Sequence, residues 1–155
     1  MDASQVRRKK RLRQKLAQVQ WLVWLVIVGL VGYYMFWRTQ QVQVARIITD
    51  EFLARMGRAE LGFIYNKLLT GELKTNLPEK KLQKQYDLLL KKLGRLQEFT
   101  LGDSELAWTN TRCRLVYEAR FEKAPARAIF ELMTDDLGRW RLDTYYFWAD
   151  NWQQL

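Results

Sequence analysis

The sequence WLVWLVIVGLVGYYMFW occupies residues 21–37 and lies within a charge-free run from Leu16 to Trp37. At about 1.5 Å of rise per residue, a helix formed by this run would reach roughly 33 Å, enough to cross a hydrocarbon core of about 30 Å. Aromatic residues lie near both ends of the run, where their rings favour the lipid headgroup layer. The run therefore predicts a transmembrane helix over residues 16–37.

The charges on either side of this run predict its orientation. The preceding tail, residues 1–15, carries seven basic residues and one acidic residue, whereas the other flank begins with Arg38 alone. Since strongly basic flanks stay in the cytoplasm, we expect a single-pass bacterial inner-membrane protein with a cytoplasmic N-terminus and a periplasmic C-terminal domain. The basic residues are also expected to contact anionic lipids at the cytoplasmic face. They are Arg7, Arg8, Lys9, Lys10, Arg11, Arg13 and Lys15.

A cleaved signal peptide is the main alternative for the same segment. Its apolar region would span about 7 to 15 residues and would end at a small-x-small cleavage site. Here the apolar run is longer and ends in the bulky side chains of residues 33–37, YYMFW. The sequence therefore favours an uncleaved anchor.

The net charge of +9 is concentrated in the tail. Seven basic residues against one acid give +6 there, and the apolar run carries no charge, so +3 remains for residues 38–155. The outer part of the protein is therefore only mildly basic, and we expect no nucleic-acid partner.

The residue types also limit the chemistry that this chain can perform. The sequence contains no His, which is the commonest general base and zinc ligand, and its single cysteine, Cys113, excludes an internal disulfide. Glycine-rich phosphate loops and nucleophile elbows are also missing. We therefore expect no enzyme, no cofactor and no metal site. An isomerase or dehydratase is the enzymatic alternative.

After the membrane run, the sequence predicts helices first and strands second. Apolar residues recur at helical spacing from Ala45 to Met56 and from Leu82 to Leu93, with a shorter helix over 59–69 between them. Beyond Gly94 the apolar period changes to two, which is typical of strands. The predicted strands span 99–108, 111–121, 126–133 and 139–148.

This order predicts an α+β fold, with an N-terminal transmembrane helix followed by helices packed on a curved antiparallel sheet of about four strands. The predicted division of the chain is a basic cytoplasmic tail over 1–15, the transmembrane helix over 16–37, a stalk and first helix of the outer domain over 38–57, and the remainder of that domain over 58–155.

Residues 43–148 resemble the nuclear transport factor-like or cystatin-like α+β superfamily, in particular its membrane-anchored bacterial domains of unassigned function. The matching positions are the helix end Leu93-Gly94, the strand segment 117–121 (YEARF), and the closing hairpin, in which 138–142 (GRWRL) runs on to Tyr145-Tyr146. The resemblance implies a cone of helices and sheet with an open end. None of these motifs is catalytic.

The closing segment holds more aromatic residues than one face of a small sheet buries easily. Regular alternation would place Trp140, Leu142, Tyr146 and Trp148 on one face, and Arg141, Asp143, Tyr145 and Phe147 on the other. We therefore expect exposed rings that dock other membrane or periplasmic proteins. The candidate docking residues are Arg139, Arg141, Tyr145, Phe147 and Trp152. Two alternatives are that the C-terminal residues cover the sheet, and that Trp148 and Trp152 rest on the bilayer.

These features favour an interaction or assembly module of a membrane-associated complex. The layout alone also resembles inner-membrane scaffold subunits of type IV secretion systems and accessory proteins of oxidase assembly. The alternative is a binding or sensing domain that holds a small apolar ligand in the cone. The candidate pocket-lining residues are Phe52, Tyr65, Leu89, Tyr117 and Trp140. A homodimer is a further possibility that the sequence leaves open.

Overall fold

The computed structural model describes residues 3–107 and 109–149, with side chains from residue 19 onward. The chain divides into two units, Met1–Thr39 and Gln40–Leu155. Helix α1, Ala3–Gly57, supplies the described residues of the first unit and begins the second.

Helix α1 contains a segment, within Val19–Gly57, that is long and apolar enough to cross a membrane. Its apolar segment is not buried, and the side chains from Trp21 to Trp37 are exposed. A membrane anchor and a signal sequence both have this property. The side chains of the basic tail, Arg7 to Lys15, lie outside the described residues.

The second unit has the predicted α+β architecture, with short helices followed by a curved, unclosed antiparallel sheet. After α1 come α2 (Leu61–Phe63), a π-helical turn (Ile64–Leu68), α3 (Gly71–Asn76) and α4 (Glu79–Leu93). The strands are β1 (Leu96–Leu106), β2 (Arg112–Phe121), β3 (Pro125–Thr134) and β4 (Trp140–Trp148). They pair in the order β1-β2-β3-β4, as a meander of consecutive hairpins predicts.

The core lies between the helices and one face of the sheet. Alternate residues of β2, from Cys113 to Phe121, are buried, which confirms the predicted period of two. On α1, Phe52 and Leu53 are almost fully buried against this face, together with the polar residue Thr49. The end of α1 is therefore part of the core of the second unit.

Gly94 turns the chain from α4 into β1. Its φ of +80° with ψ of −163° is a combination that is essentially restricted to glycine. A Cβ atom at this position would lie 2.8 Å from the Cβ of Glu122, whose carboxylate accepts a hydrogen bond from the amide of Arg95. The glycine thus lets the end of α4 pack closely on the β2–β3 turn.

A bulge in β4 changes which of its side chains face the core. Glu131 pairs with Thr144, but Leu132 pairs with Leu142, so Asp143 is an extra residue in β4. The predicted alternation through Asp143 is therefore wrong. Before the bulge Trp140 and Leu142 face the core, and after it Tyr145 and Phe147 do so, which leaves Tyr146 and Trp148 on the outside.

The segment before α3 holds the bulged part of β4 in place. Leu69 forms a parallel bridge with Leu142, and the amide of Thr70 donates a hydrogen bond of 2.9 Å to the Leu142 carbonyl. The Thr70 side chain caps α3 by accepting a hydrogen bond from the amide of Leu73. The sequence did not predict α3, which begins directly after the short helix predicted over 59–69.

Candidate ligand pocket

An apolar pocket of about 260 Å³ opens within the second unit, between the end of α1, α2, α4 and β4. It is lined by Phe52, Met56, Leu61, Leu82, Gln85, Tyr86, Leu88, Leu89, Tyr145, Tyr146 and Phe147. Pockets for drug-sized molecules span about 300 to 1,000 Å³. This pocket therefore has room for a smaller ligand, such as a medium-length acyl chain or a single aromatic ring.

Helical spacing brings the walls of the pocket together. Phe52 and Met56 lie one turn apart on α1, and Leu82, Tyr86 and Leu89 follow one another along a single face of α4. On β4, the bulge at Asp143 turns Tyr145 and Phe147 towards the helices. The pocket thus depends both on two regular helices and on one irregular strand.

Aromatic side chains form the inner wall of the pocket. The ring of Phe52 lies 5.3 Å from that of Phe130 at a steep angle, and 5.0 Å from that of Tyr145, measured between centroids. Phe147 continues this cluster towards Phe121, at 5.9 Å. Such edge-to-face contacts add to the stability gained by burial and hold the wall in one arrangement.

The polar groups of the pocket are neutral. The hydroxyl of Tyr145 donates a hydrogen bond of 3.1 Å to Oε1 of Gln85. Burial raises the pKa of Tyr145, and burial also raises the pKa of Tyr86, so both hydroxyls remain protonated at neutral pH. Among the residues that the structure describes, no lining residue carries a charge. The pocket therefore suits an uncharged ligand with one polar group.

The structure brings two of the five predicted pocket residues to this site. Phe52 and Leu89 line it, whereas Tyr65, Tyr117 and Trp140 do not. The Tyr65 ring lies outside this pocket, beneath the ammonium of Lys74 at 5.8 Å.

Tyr117 and Trp140 are buried elsewhere and connect α1 to the sheet. The Tyr117 hydroxyl donates a hydrogen bond of 2.7 Å to Oδ1 of Asp50, and also lies 2.7 Å from Oγ1 of Thr49. Trp140 donates a hydrogen bond of 3.0 Å from Nε1 to Oε1 of Gln41. Both side chains are buried in the core and do not line this pocket.

The predicted docking patch does not form one surface. Tyr145 and Phe147 face the core and line the pocket, so the prediction that they are exposed is wrong. Arg139 and Arg141 instead approach Asp135, with nitrogen–oxygen distances of 2.9 and 3.7 Å, and Arg141 also donates to the carbonyl of Lys67. Trp152 lies outside the described residues.

Asp135 organises the β3–β4 turn that carries these two arginines. Its Oδ1 accepts hydrogen bonds from the amides of Leu137 and Arg139, at 3.0 and 2.9 Å. The hydrogen bond from the Arg139 amide is the largest of the effects that lower the pKa of this carboxyl. The arginines therefore stabilise a turn, and no pattern in the sequence indicates that Asp135 is their partner.

The pocket predicted from the sequence did not include several of the residues that line it. Met56, Leu82 and Tyr86 belong to apolar stripes, which predict burial but not a gap between the buried side chains. Gln85 and Leu88 are exposed on α4 and resemble residues of a solvent-facing helix surface. Only the distance between α4 and β4 identifies them as pocket residues.

Other groups in the second unit offer little reactivity. Burial raises the pKa of the Cys113 thiol to about 11, so the nucleophilic thiolate is scarce at neutral pH. Within residues 3–107 and 109–149, no group of three or more His, Cys, Asp or Glu side chains is placed to hold a metal ion.

No protein-family model matches this chain, and a search of curated proteins gives no match.

Proposed function

We propose that this protein is a single-pass inner-membrane protein whose periplasmic domain binds a small apolar ligand without catalysing a reaction. The observation that carries this proposal is the uncharged apolar pocket between α4 and β4. The exposed apolar helix supports the anchor, and the basic tail supports the orientation.

The lining of the pocket favours a neutral ligand. Burial of an ionised carboxylate without a partner is costly, and no described lining residue supplies a positive charge. The hydrogen-bonded pair of Tyr145 and Gln85 offers one site for a hydroxyl or amide group of the ligand. A medium-chain alcohol therefore has the expected chemistry.

Photolabelling of the full-length protein in lipid vesicles tests this proposal. The probe is decanol carrying a diazirine, and its attachment sites are mapped by mass spectrometry of peptides. We expect labelled peptides from α4 and β4, in addition to peptides from the apolar helix, which contact the lipid. Replacement of Leu89 by Trp should remove the α4 and β4 labels, because the added ring fills the pocket.

A matched variant distinguishes filling of the pocket from a general effect of tryptophan. Leu137→Trp introduces the same side chain in the β3–β4 turn, where Leu137 is exposed. We expect Leu137→Trp to leave the labelling pattern unchanged. The ligand proposal is wrong if wild-type α4 and β4 stay unlabelled, or if Leu89→Trp is labelled there as strongly as wild type.

A second candidate function, that of an interaction module in a membrane-associated complex, is favoured by the other face of the sheet. Tyr146 and Trp148 are exposed there by 43% and 54%. We call this surface the outer sheet face. It includes Arg114, Val116 and Glu118 of β2, Arg127, Ile129 and Glu131 of β3, and Thr144, Tyr146 and Trp148 of β4. Exposed aromatic side chains beside arginines are typical of protein interfaces.

Site-specific crosslinking tests the interaction-module function. The photoreactive residue benzoylphenylalanine replaces Trp148 in the full-length protein, and cells are irradiated before their membranes are isolated. A defined adduct of higher mass is expected, because the side chain at 148 would lie within an interface. The same photoreactive residue at Leu137 is the control and should give no such adduct. If position 148 also yields none, the interaction-module function is contradicted.

A further inference from the structure

The second unit begins beside the start of β4. Nε1 of Trp140, the first residue of β4, donates a hydrogen bond of 3.0 Å to Oε1 of Gln41. Further along both elements, the rings of Phe52 and Tyr145 lie 5.0 Å apart. The distance between these two contacts is about 17 Å along α1 and about 17 Å along β4, at 1.5 Å per helical residue and 3.3 Å per strand residue. Within this unit, α1 and β4 therefore run side by side in the same direction.

This shared direction determines where the β3–β4 turn points. The turn, residues 135–139, precedes Trp140, so it extends towards the beginning of the second unit and away from the end of α1. Leu137 lies three residues before Trp140 and reaches up to about 10 Å further in that direction. The tip of the turn is thus found at the end of the second unit to which the apolar run is joined.

The covalent chain keeps this end of the unit close to the apolar run. The run ends at Trp37, four residues before Gln41, and consecutive Cα atoms are about 3.8 Å apart. Gln41 therefore lies within about 15 Å of Trp37, a limit set by the chain alone. With the run across a membrane, Trp37 marks the edge of the hydrocarbon core, and the headgroup layer beyond it is about 5 to 8 Å thick. The turn is long enough to span the remaining distance.

The tip of the turn presents an apolar side chain to its surroundings. Leu137 is 74% exposed and takes no part in the core. A single exposed leucine is common on protein surfaces, so its place beside the end of the apolar run is what makes this one informative. Transfer of a leucine side chain out of water is favoured by a factor of about ten or more. Leu137 therefore gains from contact with acyl chains.

The backbone of the turn is suited to a layer that is poor in water. The amides of Leu137 and Arg139 donate hydrogen bonds to Oδ1 of Asp135, and the amide of Gly138 donates one of 2.8 Å to the Asp135 carbonyl. These three donors keep their partners when water is removed. Insertion of the tip therefore leaves none of them unpaired, which would otherwise be costly.

The charges of the turn favour a contact that depends on apolar burial. Asp135 and Asp136 carry two negative charges, Arg139 and Arg141 carry two positive charges, and the four sum to zero. Both arginines also approach the Asp135 carboxylate. The turn thus has no net attraction for anionic headgroups. A neutral turn with an apolar tip suits the interfacial layer of a bilayer, even one of zwitterionic lipids.

We propose that the β3–β4 turn inserts Leu137 into the headgroup layer of the membrane that holds the apolar helix, and so keeps one end of the second unit on the bilayer surface. The inference rests on the membrane anchor of the proposed function and does not depend on a ligand in the pocket. A weak contact suffices, because the anchor gives the turn a high local concentration at the lipid surface.

Fluorescence quenching in lipid vesicles tests this contact. The full-length protein carries the dye nitrobenzoxadiazole on Asp136→Cys, which leaves Leu137 in place, while the native Cys113 is buried and shielded from the reagent. The vesicles are of phosphatidylcholine with acyl chains brominated close to the headgroup. Bromine quenches only at short range, so we expect the dye to lose roughly half of its fluorescence relative to vesicles without bromine.

Two further dye positions serve as controls. Gly29→Cys places the dye near the middle of the apolar run, where a Cβ atom meets no neighbour, and it should be quenched by lipids brominated close to the chain ends. Lys123→Cys places the dye in the β2–β3 turn, at the opposite end of the sheet. The dye at this position should keep its fluorescence in both kinds of vesicle.

A replacement of the leucine separates its contribution from mere proximity to the membrane. Leu137→Asn is added to the Asp136→Cys protein, and circular dichroism checks that the fold is unchanged, as the exposure of Leu137 predicts. We expect most of the quenching at position 136 to be lost, because the apolar transfer that favours the contact about tenfold or more is removed.

The inference is refuted if the dye at position 136 is quenched no more than the dye at position 123, or if Leu137→Asn leaves the quenching unchanged. The dye at position 29 separates this failure from that of the anchor. If position 29 is quenched, the anchor stands and only the contact of the turn is refuted. If position 29 is not quenched, the membrane anchor is refuted, and this inference fails with it.

Discussion

Replacement of Phe52 by Ala is expected to lower the free energy of unfolding of the second unit by about 3 to 5 kcal/mol. Phe52 is 1% exposed, and its ring contacts the rings of Phe130 and Tyr145, so truncation removes the main aromatic link between α1 and the sheet. The space left behind joins the pocket, whose other walls are held by α4 and β4. The site therefore cannot close by a simple shift of one side chain.

Urea unfolding of the full-length protein in detergent, followed by near-ultraviolet circular dichroism, measures this loss. Ile47→Ala is the matched control, because Ile47 lies on the same helix but is 64% exposed. A change within about 0.5 kcal/mol is expected for the control. Equal losses for the two variants would show that Phe52 does not hold the helix to the sheet.

Replacement of Tyr117 by Ala is expected to cost a comparable amount, again about 3 to 5 kcal/mol. Tyr117 is 1% exposed, and its ring lies 5.7 Å from that of Phe130 and 6.0 Å from that of Phe99. The milder variant Tyr117→Phe keeps these ring contacts and removes only the hydroxyl. It is expected to cost about 1 to 3 kcal/mol, because Thr49 and Asp50 lose a buried partner.

A double-mutant cycle isolates the contribution of this hydrogen bond. Thr49→Val removes the other hydroxyl of the pair, in a residue that is fully buried. If the two hydroxyls stabilise each other, the loss caused by the double variant Thr49→Val with Tyr117→Phe is smaller than the sum of the single losses. Strict additivity in the same urea experiment would contradict a direct contact between residues 49 and 117.

Regular elements of the fold could be predicted from the sequence because their side-chain periods are uninterrupted. In β2, buried residues alternate from Cys113 to Phe121, and the strand pairs with β3 without a register shift. Helix α4 likewise buries Leu82, Leu89 and Leu93 along one face and ends at Gly94, as its apolar spacing predicts. In such elements, local sequence and tertiary structure require the same residues to be buried.

The bulge in β4 could not be predicted in this way. The segment from Arg141 to Phe147 alternates plausibly in either register, and nothing within it identifies Asp143 as an extra residue. Asp143 can be identified as the extra residue only from the strand pairing, because Leu142 pairs with Leu132 on one side and with Leu69 on the other. One such residue reverses the faces of everything that follows, which is why Tyr145 and Phe147 were assigned to the wrong surface.

The pocket could not be predicted from the sequence, for a different reason. Apolar stripes show which residues turn inward, but a cavity is the space that those residues fail to fill when distant elements meet. Phe52 and Leu89 were predicted because each belongs to the apolar stripe of its helix. Gln85 could not be found, since its role depends on the hydroxyl of Tyr145, sixty positions further along the chain.

The form of β1 has a consequence for the behaviour of the protein at high concentration. This strand lies at one edge of the sheet, where unpaired amide and carbonyl groups can template the addition of foreign strands and lead to amyloid-like aggregates. Two register shifts interrupt the hydrogen-bonding ladder of β1. The carboxylates of Glu98, Asp103 and Glu105 are exposed, so they repel the same carboxylates on the β1 strand of an incoming copy. The irregularity of β1 thus protects the soluble state of the domain.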